Sequence, residues 1–324
     1  MILPFDLRCS LAVVACWLSC TLTPAQAASP SPQPLTATQA AASLSEPPID
    51  LGQTSFLDGE GGPGPLVEFI GNAYSAAYVT DPAGHIVSGT NKQWNAGVIT
   101  HLAYVTDIPV LDGHLGGELL FPAAVVHLDV PGAPVTTQGG VGDLTFGPLV
   151  QWSDLRLLGR PFSMRLGLQI TAPTGGYSPH RLIDTGQNAW QISPYYAFTW
   201  RATDRWEISA RPIYDRSWDN DNPPSATHAG SAQAGDQFAM NLSESYAVTP
   251  DLRIGVASYM LRQISDKRLN DTNVVGSRQQ VFGAGPGLLW SNGRVAILAN
   301  AYREFAAENR PEGFDAVIRL LAPF

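Results

Sequence analysis

The chain has 324 residues, a net charge of −9 and 15% charged residues, against about 25% in an ordinary soluble domain. Its 44% hydrophobic content argues against disorder, its acidic balance argues against nucleic acid as a partner, and no stretch after the N-terminus approaches the roughly 18 apolar residues of a membrane-spanning helix. What remains is a β-rich chain with 31 Gly, 26 Pro and few charges, which is the profile of a transmembrane β-barrel.

The first 27 residues have the pattern of a secretory signal peptide. Arg8 precedes an apolar run over 11–22, and Ala25-Gln26-Ala27 has the A-x-A form, so we expect cleavage near Ala27. All three cysteines lie within the first 20 residues, which would leave the mature chain without a disulfide. An alternative is a lipoprotein signal that acylates Cys16.

Residues 28–65 predict a flexible periplasmic segment. The part over 28–48 is rich in Ala, Ser, Pro, Thr and Gln, and 59–65 is rich in Gly and Pro, so neither part can build a core. We expect a periplasmic tether here. The alternative is a plug that folds back into the lumen of a barrel predicted over 66–324.

From about residue 66 to the end, apolar and polar residues alternate with period two. In 162–172, for example, Met164, Leu166 and Leu168 alternate with Arg165 and Gly167. Segments of 11 or more residues exceed the roughly 5–6 of globular strands. The pattern predicts an all-β fold, a transmembrane antiparallel barrel of about twelve strands near 68–80, 93–106, 114–129, 139–152, 161–173, 187–201, 204–216, 236–249, 252–264, 277–291, 294–306 and 312–324.

The connections between these strands alternate in length. Short ones such as Pro250-Asp251 and the hairpin dipeptide Asn292-Gly293 alternate with long ones such as 217–235. Short periplasmic turns and long external loops are typical of bacterial outer-membrane barrels, and an even strand number places both chain ends inside. The last strand ends on Phe324, a terminal aromatic that resembles the signal recognised by the barrel-assembly machinery.

Three charged residues fit the alternation poorly. Glu244 falls on the apolar face of strand 236–249, where a charge in lipid is disfavoured. Either a bulge turns Glu244 inward or the predicted register over 236–264 is wrong. Arg262 and Arg303 lie near strand ends, where a long side chain can reach the interface.

Three motifs follow one another over 139–201: Gly142-Asp143-Leu144, Ala172-Pro173-Thr174-Gly175, and the run from Gly186 to Trp190 with downstream Pro194 and Thr199. They resemble the outer-membrane family named for the meta-pathway of phenol degradation. The resemblance implies a barrel of the twelve-stranded class and a channel for aromatic or other hydrophobic compounds. It carries over no catalytic residue. We expect a structural role in loops and strand starts for Gly142, Asp143, Pro173, Thr174, Gly175, Asn188 and Trp190.

The alternation assigns polar side chains on three neighbouring strands to the wall of the lumen. The favoured interpretation is an ion-pair ladder among them that holds the barrel's shape, and the alternative is a selectivity constriction. The predicted lumen-lining residues are Arg165, Gln169, Gln191, Tyr195, Glu207 and Arg211.

Catalytic and metal sites are not expected. Predicted outer loops contain histidines and aspartates, but no nucleophile motif such as G-x-S-x-G occurs, no two histidines have ligand-like spacing, and the loop with Asp219 and Asp221 lacks the full spacing of a calcium loop. The residues considered for an outer-rim hydrolase are His85, His180, His228, Asp81, Asp184, Asp219 and Asp221.

The sequence thus predicts a bacterial outer-membrane barrel through which small aromatic or hydrophobic solutes diffuse passively, without a cofactor. Its expected partners are outer-membrane lipids, the barrel-assembly machinery and those solutes. The alternatives are a non-conducting barrel with a structural or loop-binding role and, third, an outer-rim hydrolase.

Overall fold

The structure, a computed structural model, describes residues 48–87, 92–129 and 135–323. Its regular structure in these residues is β-strand, with one helical turn at Ser225–Thr227. The predicted signal peptide, Cys16, the cleavage position near Ala27 and the terminal Phe324 lie outside the described residues. No helix in the part of the chain that is described is long and apolar enough to cross a membrane.

Sixteen strands are numbered here in chain order. They are β1 (Gly64–Val79), β2 (Lys92–Val110), β3 (Gly113–Asp129), β4 (Thr136–Val141), β5 (Leu144–Leu157), β6 (Arg160–Ala172), β7 (Gln191–Trp200), β8 (Trp206–Ser217), β9 (Ala232–Gln233), β10 (Gln237–Ala247), β11 (Leu252–Gln263), β12 (Arg268–Leu269), β13 (Thr272–Asn273), β14 (Gln280–Ser291), β15 (Ala296–Glu308) and β16 (Pro311–Pro323).

Twelve of these strands form a closed antiparallel barrel. The order around the ring is β1, β2, β3, β5, β6, β7, β8, β10, β11, β14, β15 and β16. The ring closes where β16 pairs with β1, from Leu66 opposite Pro323 to Val79 opposite Pro311. The predicted fold, a twelve-stranded antiparallel barrel closed by the C-terminal strand, is confirmed.

Alternate side chains point into the lumen and out of the barrel, as the period-two pattern predicts. On β16, Phe314, Ile318 and Leu320 are exposed on the outer face, whereas Val317 and Arg319 between them are buried inside. The outer face is apolar, as contact with lipid requires, and the polar side chains of the strands point into the lumen.

One predicted strand, 139–152, is broken in two. β4 and β5 both pair with β3, and the break falls at Gly142 and Asp143. The strand predicted over 187–201 begins only at Gln191, because Asn188 has a φ of 54°, outside the strand region.

The two ends of the barrel differ. At one end, the short-turn end, adjacent barrel strands are joined through 111–112, 158–159, 201–205, 248–251 and 292–295. Leu111 and Asp112 both have positive φ (50° and 63°), as a two-residue type I′ hairpin requires. At the opposite, long-loop end are the connections 80–91, 173–190, 218–236 and 264–279, two of which contribute the small sheet of β9, β12 and β13.

Glu244 faces outward, as the alternation indicates. β10 pairs with β8 and with β11 without a register shift, so no bulge turns this side chain into the lumen. Arg303 is also exposed, and its guanidinium lies 4.5 Å from the ring centre of Phe314. Arg262 is exposed one residue before the end of β11.

Candidate functional site

Residues 48–63, called here the luminal segment, lie inside the barrel. Their backbone contacts inward-facing side chains on opposite walls: Gly59 N donates to Thr199 Oγ1 of β7 (2.9 Å), and Gly52 O accepts from Tyr302 Oη of β15 (2.8 Å). Phe56 is 3% exposed and belongs to the main apolar cluster. The expectation of a plain tether is therefore wrong for the luminal segment, because its side chains find partners in the lumen. Residues 28–47 lie outside the described part.

Opposite charges attach the luminal segment to the wall. Arg211 of β8 donates to both carboxylate oxygens of Asp58, at 2.7 and 3.1 Å. Nearer the short-turn end, Arg201 donates to both carboxylate oxygens of Glu60, at 2.6 and 2.8 Å. This contact raises the pKa of Arg201 above its usual value, chiefly through the hydrogen bond to Glu60. Two bidentate contacts thus fix both the position and the direction of the segment.

Toward the long-loop end the luminal segment is held by amides. Asn241 of β10 accepts from Gly52 N (2.9 Å) and donates to Asp50 Oδ1 and Thr54 Oγ1, both at 2.8 Å. Gln191 donates to Pro48 O at 3.0 Å. The segment therefore spans the lumen between the two ends of the barrel.

A second polar cluster lies on the wall formed by the first three strands and β16. His101 of β2 lies between two carboxylates, with Nδ1 3.0 Å from Glu68 of β1 and Nε2 3.1 Å from Glu118 of β3. Arg319 of β16 donates to Glu68, and Tyr195 of β7 donates to Glu118 across the lumen at 2.9 Å. Because both neighbours of His101 are acceptors, the geometry suits a ring that carries both N–H groups.

A cavity of about 270 Å³ remains between the luminal segment and the wall. Its polar side includes His101 and Glu118. Further charged side chains on the wall include Asp58, Arg165 and Arg211, and the aliphatic part of the wall includes Ile49, Ile70, Ile99, Leu120, Leu289 and Leu298. The lumen is therefore constricted and holds a space whose wall is partly aliphatic and partly charged.

The six side chains predicted to line the lumen lie on the inward faces of their strands, but the ion pairs of the predicted ladder do not form between them: the one contact within the set is the Arg211 guanidinium 4.4 Å from the ring centre of Tyr195. Arg211 binds Asp58, whereas Glu207 accepts from Ser209 and Ser245. Arg165 donates to Gln151 at 2.8 Å and to the backbone O of Glu60 at 3.2 Å. The remaining contacts are those of Gln169 with Glu118, Gln191 with Pro48, Ser193 and Asp215, and Tyr195 with Glu118 and Arg211.

The motif residues meet at the break between β4 and β5. Asp143 is 2% exposed, and its carboxylate accepts from Gly175 N and from Gln187 N, both at 2.7 Å. Thr174 Oγ1 accepts from Leu144 N at 2.9 Å. A Cβ on Gly175 would lie 2.7 Å from the backbone carbon of Gly142, so the close approach favours glycine. These contacts tie loop 173–190 to the wall.

The other motif residues lie at the start and at the end of the same loop. Asn188 donates to Asn220 Oδ1 at 2.8 Å, which joins loop 173–190 to loop 218–236. Trp190 is exposed, and its backbone O accepts from Trp218 N at 2.8 Å. Pro173 directly follows the end of β6.

The outer loops contain one contact of the kind a hydrolase uses. Ser225 Oγ lies 3.0 Å from His180 Nδ1 at an exposed site. No carboxylate of the described residues hydrogen-bonds His180, since Asp184 instead accepts from Ser178 N and Arg181. Partial burial raises the pKa of Asp184.

The remaining loop residues are scattered. His85 lies 3.4 Å from Asp81, and both are solvent-accessible. His228, Asp219 and Asp221 are exposed in loop 218–236. Within the described ranges, no group of three His, Cys, Asp or Glu side chains is placed to hold a metal ion.

The sequence favoured a tether over the luminal plug that was its alternative, and the His101 cluster was not predicted from it. Acidic residues at 50, 58 and 60 precede a barrel whose predicted lumen carries arginines, and that opposition of charge was an available indication. His101, Glu68 and Glu118 occupy inward positions of their strands, which the alternation could have identified.

Solved structures with the same architecture are outer-membrane proteins. The COG4313 outer membrane channel from Pseudomonas putida F1 is 19% identical with a TM-score of 0.74, over 84% of this chain and 100% of that one. The transport unit of the autotransporter AIDA-I from Escherichia coli is 10% identical with a TM-score of 0.50, over 89% and 97%. At these identities the likeness concerns the fold. No curated protein sequence matches the chain.

A closed antiparallel barrel with an apolar outer face is the structure by which proteins span the bacterial outer membrane, and the protein lies there. The family described as "Putative MetA-pathway of phenol degradation" matches residues 78–320, which is most of the barrel, and the chain belongs to that family.

Proposed function

We propose that the protein is a passive channel for small aromatic or other hydrophobic molecules. The observation that carries this proposal is the cavity of about 270 Å³ in the lumen, part of whose wall is formed by aliphatic side chains. An engineered apolar cavity of ~150 Å³ holds benzene, so this space can hold one small substituted aromatic. Small-molecule sites combine apolar wall with placed polar groups, and here the aliphatic side chains supply the first, and His101 and Glu118 are among the second.

Transport in this proposal is diffusion down a gradient. The solute enters at the long-loop end, rests against the aliphatic wall and leaves at the short-turn end in the periplasm. No bond is made or broken, so the proposal assigns neither a cofactor nor an enzymatic activity. Two further points support a channel: membership of a family named for phenol degradation, and the likeness to a protein that is itself described as an outer membrane channel.

A non-conducting barrel is the second candidate, and the luminal segment is the observation that favours it. Its contacts with Thr199, Arg211, Asn241 and Tyr302 reach four strands and narrow the lumen. In this second candidate, the narrowed barrel has a structural role in the cell envelope or binds partners through its long loops.

Flux into vesicles separates the two candidates. The refolded mature chain is reconstituted in liposomes, and uptake of phenol-like aromatics is compared with uptake of sugars of similar size, with protein-free liposomes as background. Aromatic flux well above background with little sugar flux supports the proposal. Equal flux of both indicates a general narrow pore, and background flux through a folded barrel favours the non-conducting candidate.

A further inference from the structure

One cation on the wall of the cavity has no anionic partner. Arg165 of β6 is half-buried, and it donates through Nε to Gln151 Oε1 at 2.8 Å and through Nη2 to the backbone O of Glu60 at 3.2 Å. Both acceptors are neutral, and in the described part of the chain Arg165 forms no ion pair with a carboxylate. Its Nη1 has no hydrogen-bond partner among those residues and is not enclosed. The cavity wall therefore presents a guanidinium with unused N–H groups.

The carboxylates of the same wall already have hydrogen-bond donors within the protein. Each accepts from a cationic side chain, from a side-chain hydroxyl or amide, or from backbone N–H, and they are Asp50, Asp58, Glu60, Glu68, Glu118 and Asp143. A cation that enters the cavity therefore meets carboxylates that are already hydrogen-bonded, whereas an anion meets the unpaired guanidinium of Arg165. This difference favours an anionic solute.

Arg165 lies where the luminal segment narrows the lumen. On the inward face of β6 it is nearer the short-turn end than Gln169, whose side chain donates to Glu118 at 3.3 Å. The backbone of the luminal segment is fixed beside it, because Gln151 Nε2 donates to Gly59 O at 2.9 Å while Arg165 donates to Glu60 O. These two contacts hold the guanidinium in place, so it is preorganised to receive an acceptor group of a solute.

We propose that the cavity binds aromatic carboxylates, with the carboxylate group on Arg165 and the ring against the aliphatic part of the wall. The assignment rests on the proposed function, since it names the class of solute for the same cavity. Guanidinium N–H groups match carboxylate oxygens in charge and geometry. A neutral alcohol of the same size accepts a weaker hydrogen bond from the same N–H groups. The charge of Arg165 therefore selects aromatic acids over neutral aromatics.

Fluorine NMR on the full mature chain, refolded in detergent, tests this assignment. The probes para-fluorobenzoate and para-fluorobenzyl alcohol are titrated separately in neutral buffer, with protein-free micelles as background. We expect the wild type to bind the acid about tenfold more tightly than the alcohol, because hydrogen bonds to charged groups are the stronger ones. Arg165→Gln should abolish that preference, and Arg165→Lys, which keeps the charge, should retain part of it. Arg160→Gln is the matched control, because it removes an arginine of the same strand that pairs with Asp204 instead.

Several outcomes would overturn the assignment. Equal affinity of the wild type for the two probes would do so and leave the proposed channel intact, because the cavity would still hold a neutral aromatic. Binding of neither probe would count against both the assignment and the proposed channel. If Arg165→Gln loses the acid and the alcohol alike, in a barrel whose fold is verified by heat-dependent gel mobility, Arg165 shapes the cavity and does not select its solute.

Discussion

Arg211 of the barrel wall and Asp58 of the luminal segment form a buried bidentate ion pair between residues 153 positions apart in the chain. Their side chains are 8% and 4% exposed. Removing one partner of a buried pair leaves the other charge uncompensated, which is strongly destabilising. This pair is therefore central to the position of the luminal segment.

Replacing the cation should release the luminal segment. In Arg211→Ala we expect ion conductance in planar bilayers to rise severalfold and the free energy of unfolding in urea to fall by about 3 kcal/mol. The control is Arg216→Ala, which removes a half-exposed arginine whose contact with Asp236 is 3.4 Å long. Unchanged conductance in Arg211→Ala would show that the pair does not hold the constriction.

Two glycines of the luminal segment provide a matched steric test. A Cβ on Gly59 would lie 2.4 Å from backbone atoms of Phe198 and Thr199, whereas a Cβ on Gly62 meets nothing within 4 Å. We expect Gly59→Ala to push the segment off β7 and raise conductance, and Gly62→Ala to behave as the wild type. Equal conductance in both variants would argue that the segment does not pack against β7.

The hydrogen bonds of Asp143 at the break between β4 and β5 should protect loop 173–190 from proteolysis. Asp143→Ala removes the acceptor for Gly175 N and Gln187 N, and hydrogen bonds to a charged group contribute about 1.5–3 kcal/mol each. We expect trypsin to cleave after Arg181 at least about tenfold faster, since ~1.4 kcal/mol is a factor of ten. Asp154→Ala, an exposed carboxylate on β5, is the control, and equal cleavage in the two variants would contradict the assigned role.

Adjacent leucines of β14 separate the cavity from the outer surface. Leu289 is 7% exposed and lines the cavity, whereas Leu288 is 40% exposed on the lipid face. We expect Leu289→Trp to fill the cavity and lower the flux of phenol-like solutes into vesicles severalfold. Leu288→Trp should leave that flux unchanged. Loss of flux in both variants would point to general damage to the barrel rather than to an obstructed route.

The strands and their faces could be predicted because they depend on local period-two patterning. Leu166 and Gln169 fall on opposite faces for that reason alone. The partners of the lumen side chains could not be predicted, because the alternation gives the direction in which Arg211 points and not the residue that it contacts. Because the partner, Asp58, directly precedes a Gly- and Pro-rich stretch whose composition is that of a linker, a ladder among wall residues was favoured over a contact with the plug.

The period-two pattern likewise could not predict the strand break at Asp143. Gly142 and Asp143 continue the alternation without an interruption, and the break depends on loop backbone reaching the carboxylate from residues 175 and 187. The family motifs drew attention to these positions, although their contacts depend on residues more than 30 positions away.

The hydrogen bond between Tyr302 and Gly52 joins residues 250 positions apart. The luminal segment is synthesised before any strand, yet two of its hydrogen-bond partners belong to the penultimate strand, Tyr302 and Asn300, the second of which donates to Ser55 Oγ at 2.9 Å. Contacts at such separation form only after the intervening chain has been organised. The luminal segment, which is synthesised first, can therefore take its final position in the barrel only after β15 is in place. A nascent chain arrested before β15 would lack the two side chains to which the segment is hydrogen-bonded.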